Sequence, residues 1–284
     1  MLFEDFAAAY CAAVADRLRS AERVRFVMAR WVRHFAGRDL TSIRRADIAA
    51  FIRVRRAAVG SANTVNVDLA TLSAAFNYAR RIWELDIINP VAGQLLRSPE
   101  GRLRYLTQAE AARLLEAAAS LPKAPALPTF IDLALNTGCR KHELLTLTWS
   151  DVDLDGRRMT LQGSNTKNGR RRVLPLNRKA IAALRERAAF RDRYCPEAKH
   201  VFCRQGGSPY ADLVKSFREA CRRAAIEDFR IHDLRHTFAS WLVMKGVRLI
   251  VVRDLLGHSS VKMTERYAHL AQESLVNAVA LLDD

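Results

Sequence analysis

The chain has 284 residues, half of them hydrophobic, with a formal net charge of +16 and a sequence pI of about 10.3. That length allows two modest domains, each able to bury a core, and the apolar content excludes a disordered tail. No uninterrupted apolar run reaches membrane-spanning length, no signal-peptide pattern opens the chain, and five cysteines without a CxxC pair suit free thiols in a reducing cytoplasm better than a zinc site.

Residues 1–100 hold fifteen arginines, no lysine and ten acids, so this part carries +5 and the remainder +11. A positive balance spread over both parts points toward a polyanion, most often nucleic acid, although many basic proteins bind none. Almost all of the first hundred residues read as helix. In "SANTVNVDLATLSAAFNYARR" the residues Val65, Leu69, Leu72, Phe76 and Ala79 recur at helical spacing. Pro90 in "INP" disfavours helix at Asn89 and is expected to end that segment. The polar "RSPEGRLR" reads as an interdomain linker. Boundaries of 1–96 for a helical domain, 97–105 for a linker and 106–284 for a second domain follow.

The second domain is expected to be helical with one β interruption. Thr107 and Glu110 have capping-box spacing at its first helix. "WSDVDLDGRRMTLQG" and "TKNGRRRVLPL" read as two short strands joined by a turn at Asn168-Gly169. Helices resume from about Arg178, and Gly246 and Gly257 stand where helix C′ residues belong. The fold class is therefore mainly α with a small β-sheet.

Four stretches combine polar chemistry with apolar surroundings. "ALNTGCRKHELLTLTW" places Arg140 three residues before Glu143, a spacing that also makes an ordinary helix ion pair. "NTKNGRRRVLPL" places Lys167 near a hairpin tip, followed by Arg170, Arg171 and Arg172, which form either a solvated charge run or a grip on a phosphate backbone. "HDLRHTFASWLV" sets His232, Arg235 and His236 at the mouth of an apolar helix, where charge is costly. "LLGHSSVKMTERYAHL" offers His258 beside a helix C-cap and Tyr267 nine residues later, on a stripe with Met263 and Leu270 that a packed core tyrosine would share.

Taken in order, the pieces read Arg, Lys, His-x-x-Arg, His, Tyr, and they resemble the catalytic domain of the tyrosine recombinases, the phage-integrase family. "TGCRKHELL", "TKNGRRRVLPL", "HDLRHTFAS", "LLGHSS" and "TERYAHL" carry the likeness. "SANTVNVDLATLSAAFNYARRIWELDIINP" resembles the last helices of the family's core-binding domain, and "LRYLTQAEAARLL" its domain junction. The resemblance implies a helical core-binding domain and a mixed catalytic domain that close as a clamp on double-stranded DNA. It also implies cleavage and rejoining of strands through a 3′-phosphotyrosyl intermediate and a Holliday junction, without metal, ATP or other cofactor.

By the same resemblance Arg140 and Arg235 clamp the scissile phosphate and His258 donates a further hydrogen bond. Tyr267 is the nucleophile, His232 takes its proton, Lys167 protonates the leaving 5′ oxygen, and Glu143 braces Arg140 from behind. His236 is expected to serve packing or hydrogen bonding. Asn63, Thr64, Arg80 and Arg170 to Arg172 are candidate DNA contacts. The seventeen residues after Tyr267 carry the stripe Leu275, Val279, Leu282; a tail helix over 272–284 is expected, docking on a neighbouring protomer or on its own domain. The partners implied are an inverted-repeat DNA site and a homotetramer on paired sites, with a cytoplasmic, nucleoid-associated location. The chain resembles the simpler two-domain members that lack an arm-binding domain. Two other readings stay open: a type IB topoisomerase, which uses a similar residue set, and a non-catalytic regulator, since "SWLVMKGVRLIVVRDLLGHSS" loosely resembles a helix-turn-helix.

Overall fold

The computed structural model describes residues 1–18, 20–97, 102–163, 171–271, 279–280 and 282–283. The chain divides into two compact units, Met1–Glu100 and Gly101–Asp284.

The described residues of the first unit form the α-helices α1 (Phe3–Ala13), α2 (Ala21–Phe35), α3 (Arg45–Val59) and α4 (Ala62–Ile82). The periodic residues Val65, Leu69, Leu72, Phe76 and Ala79 are all buried against Phe3, Phe6, Trp31 and Phe35. Local hydrogen bonds start the helices. Asp47 accepts the Arg44 N–H at 2.7 Å ahead of α3, and the Ser61 hydroxyl accepts the Thr64 N–H at 3.4 Å ahead of α4. Helix α4 stops at Ile82, well before Pro90, so proline is not its terminator. Glu84 instead takes a left-handed backbone (φ 54°), and the Leu85 N–H turns back to the Ala79 carbonyl at 3.2 Å. Asn89 then ties the returning chain to α4 through the Ser73 hydroxyl and the Asn77 amide. Within this unit Asp68 is buried and paired with Arg30 and Arg55.

The second unit contains α5 (Gln108–Ala119), α6 (Leu127–Thr137), the short α7 (Lys141–Leu145), strands β1 (Val152–Asp153), β2 (Arg158–Leu161) and β3 (Arg172–Pro175), then α8 (Arg178–Tyr194), α9 (Val214–Arg223), α10 (Asp233–Met244), α11 (Leu249–Leu256) and a 3-10 segment, Glu265–Ala271. The capping box forms as its spacing predicts: the Thr107 hydroxyl accepts the Glu110 N–H at 3.1 Å, and Glu110 accepts the Thr107 N–H at 2.8 Å. Central helix α6 buries Phe130, Ile131, Ala134 and Leu135 against α5, α8 and α10.

The sheet is antiparallel, in the order β1-β2-β3. "WSDVDLDGRRMTLQG" is two strands and not the single one expected. Asp153 accepts the Gly156 N–H at 2.7 Å and Arg157 turns left-handed (φ 49°), which reverses the chain inside that stretch. Strands β2 and β3 pair Met159 with Leu174 and Leu161 with Arg172. Alternation sends Met159, Leu161 and Leu174 into the core. The expected Asn168-Gly169 turn lies outside the described residues, as does most of the expected tail helix with Leu275. Val279 and Leu282 are exposed. Among the described residues no helix is long and apolar enough to cross a membrane.

Candidate active site

The ends of helices build the site. Helix α6 ends at Gly138, whose left-handed conformation (φ 63°) turns the chain toward Arg140. A Cβ at 138 would run into Phe238 and lie 2.9 Å from Leu256, so the position needs glycine for both backbone and space. Arg140 precedes α7. Its backbone N–H donates to Glu143 at 2.8 Å and its guanidinium to the same carboxylate at 2.7 Å. Glu143 is almost wholly buried, and its second oxygen also accepts the Arg172 guanidinium at 2.9 Å.

Arg235 rises from α10 with 3% exposure. Helix C-terminal carbonyls lack partners inside their own helix, and Arg235 supplies donors to two of these ends. It donates to the Gly138 carbonyl at 2.8 Å and to the Leu256 carbonyl, at the end of α11, at 2.6 Å. Leu256 also accepts from Arg172 at 2.9 Å. Arg140 and Arg172 thus share one carboxylate and Arg172 and Arg235 one carbonyl, which joins the three into a connected set. Burial pushes the Arg235 pKa down to about 9, and the Arg140 and Arg172 charges add to the effect. Positive charge in excess of its carboxylate, held where water is scarce, is the electrostatics of an anion site.

The phenol lies beside this set. Tyr267 is 1% exposed and packs with Phe238, Val243, Val252 and Leu256. Its hydroxyl and His236 Nδ1 are 2.6 Å apart. Burial raises the Tyr267 pKa to about 12, while burial first and the His232 charge second lower that of His236 to about 4. At neutral pH Tyr267 is therefore the protonated donor and His236 the neutral acceptor. His232 stands one turn earlier, just ahead of α10, exposed, with its ring centroid 5.3 Å from that of His236. Its pKa is lowered by surrounding chain, then by Arg235. His258 follows the α11 cap, and its Nδ1 lies 2.9 Å from the hydroxyl of the buried Thr264. Burial, then Arg235 and Arg140, lower the His258 pKa to about 3.

Among the expected site residues, Arg140, Glu143 and Arg235 are joined through shared partners, and His258 and His232 lie within reach of the arginine charges. Lys167 and Arg170 lie outside the described residues. Arg171, just before β3, is exposed, while Arg172 opens the strand on the face of the buried Leu174. With its side chain 13% exposed and both terminal nitrogens committed to Glu143 and Leu256, Arg172 belongs to the interior of the site and not to a surface grip. In the first unit Asn63 and Thr64 are exposed beside a cleft of about 310 Å³ that Arg23, Phe26, Arg30 and Arg55 also line. Arg80 lines a different cleft, with Asn77 and Arg81, so the three candidates do not share one.

Sequence reasoning missed the link from His236 to Tyr267 and the inward role of Arg172. It also missed Asp233, which holds the start of α10 by accepting from Arg102 and the Arg230 N–H at 2.9 and 2.8 Å. Strand alternation from Leu174 back to Arg172 was the one signal that could have found the second.

Comparison with known proteins identifies relatives of the chain. The model of the phage integrase family matches residues 104–274. The integrase of Salmonella phage P22 is 27% identical over 286 residues, covering 89% of this chain and 72% of the relative. The shufflon-specific DNA recombinase of Escherichia coli is 33% identical, covering 84% of this chain and 61% of the relative. This chain accordingly spans about three fifths to three quarters of the length of those relatives. In fold it is similar to the Tn1549 transposon integrase solved in complex with transposon right end DNA, with a TM-score of 0.79, 21% identity, and coverage of 97% of this chain and 99% of that one.

Proposed function

The chain belongs to the phage integrase family of tyrosine recombinases, and from that premise we propose that it is a site-specific DNA recombinase or integrase. It cuts and rejoins strands through a 3′-phosphotyrosyl intermediate and a Holliday junction, using neither metal nor nucleotide cofactor. The observation that carries this reading is a set of three arginines joined through one buried carboxylate and one helix-end carbonyl, with a buried, histidine-held phenol alongside.

In-line attack on a phosphodiester gathers negative charge on the phosphoryl oxygens. Arg140 and Arg235 receive that charge, and His258 donates a further hydrogen bond; all three are held in place before substrate arrives. Tyr267 forms the bond to phosphorus while the bond to the 5′ oxygen breaks. A phenol pushed up to about 12 and a histidine lowered to about 4 leave negligible phenolate at rest. Proton removal therefore accompanies attack. In the resting geometry His236 is the acceptor at the hydroxyl, and His232, nearer solvent, takes the proton onward. Lys167 delivers a proton to the leaving oxygen. The phosphotyrosyl bond conserves the linkage, so a second 5′-hydroxyl reverses the step.

The substrate is double-stranded DNA at an inverted-repeat site, paired by a homotetramer, in the cytoplasm on nucleoid DNA. A covalent-trapping assay tests the reading. Purified protein is mixed with nicked duplex fragments of its source genome, quenched in detergent and screened for DNA-linked protein. A Tyr267-dependent adduct, absent from Tyr267→Phe and insensitive to chelator, is the expected result. Retained fragments with no adduct would shift the reading to a DNA-binding protein without catalysis.

A further inference from the structure

We infer that Arg172 is a positioning residue that locks the two phosphate-binding arginines to each other, an inference that rests on the recombinase reading above. Its guanidinium reaches two supports at once. One terminal nitrogen donates to Glu143, the carboxylate that also holds both the backbone and the side chain of Arg140. The other donates to the Leu256 carbonyl, which also accepts from Arg235. Glu143 and Leu256 lie on different helices, and Arg172 on a strand is the link that joins them.

The surroundings are shaped for that side chain. Gly257, just beyond Leu256, is left-handed (φ 63°), and a Cβ there would run into the Arg172 guanidinium. The strand places Arg172 on the same face as the buried Leu174. Each terminal nitrogen donates inside the protein, and through these two bonds Arg172 acts on its neighbours. Arginine suits the task because its planar fork spans carboxylate and carbonyl together, which the single ammonium of lysine does not.

If this link sets the spacing of Arg140 and Arg235, its loss misaims them at the phosphate without removing either. A misplacement of about 1 Å costs on the order of 100-fold in rate. The test uses a nicked fragment recovered by covalent trapping, with adduct formation followed in single turnover at saturating protein. Arg172→Gln is expected to lower the maximal rate about 100-fold while DNA affinity stays within about threefold. Arg172→Lys, which keeps the charge and one contact, is expected to recover part of the rate, and it also serves if the glutamine variant does not fold.

A second substrate separates positioning from mere support. With a neutral methylphosphonate at the scissile position there is less charge to receive, so the deficit of either variant is expected to shrink to a few-fold. A variant that cleaves like wild type, or one that loses rate and affinity together with the same deficit on the neutral substrate, overturns the inference. Wild-type protein that forms no Tyr267-linked adduct on any fragment overturns the recombinase reading and this inference with it. Wild-type adduct alongside an unimpaired Arg172→Gln overturns the inference alone.

Discussion

His236 is buried and His258 half-buried, both with their positive forms disfavoured, and this sets a direction for stability against pH. Their folded pKa values, about 4 and about 3, lie below the ordinary 6.5. As pH falls from 6.5 the unfolded chain binds protons that the folded chain refuses, so stability is full above 6.5 and declines through the window down to about 4 and then 3. His236, 9% exposed, contributes about 1–3 kcal/mol of that decline. Thermal melts between pH 7 and 4.5 are expected to show Tm falling, and His236→Gln is expected to flatten the slope. An unchanged slope would mean that the ring is accommodated as a cation. Glu143 makes the opposite kind of demand, since its removal strands two partly buried guanidiniums. Glu143→Ala is expected to destabilise by about 3 kcal/mol, read from chemical denaturation, with loss of cleavage.

At the scale of elements, signals that act over a few residues were legible and those that act across the fold were not. The α4 stripe, the Thr107–Glu110 box and the glycines after α10 and α11 are local, and each forms as its spacing predicts. The end of α4 was misread because a left-handed glutamate carries no sequence mark, whereas Pro90 does. The β1–β2 reversal did carry a mark, the Asp155-Gly156 pair, with Arg157 next to it in the left-handed position. In the site, motif order brought Arg140, Arg235, His258 and Tyr267 to notice. The bonds from Arg172 to Glu143 and from His236 to Tyr267 join residues 29 and 31 apart, and no periodicity reports such pairs. Helix ends show the energetic side of this. Thr107→Ala removes a local cap and is expected to cost about 1 kcal/mol. Gly138→Ala strains the backbone and collides with Phe238 across the fold, so about 2–4 kcal/mol is expected. Equal losses in denaturant titrations would argue that the end of α6 relaxes freely.

For the whole molecule, a net charge of +16 shared between both parts of the chain predicts that salt governs DNA affinity. Each phosphate neutralised releases counterions, so about six to ten contacts lower affinity on the order of 10³- to 10⁵-fold between 50 and 200 mM salt. Fluorescence anisotropy on a labelled duplex measures this slope, and single variants then assign it. Arg171 is exposed, so Arg171→Ala is expected to reduce the slope by about one if it meets a phosphate. Arg172 has both terminal nitrogens bonded within the protein, so Arg172→Gln is expected to leave the slope unchanged. Adjacent arginines of equal charge would then differ in salt dependence because one is exposed to solvent and the other is bonded to Glu143. A slope reduced equally by both substitutions would place Arg172 on the phosphates and remove the basis for treating it as internal to the site.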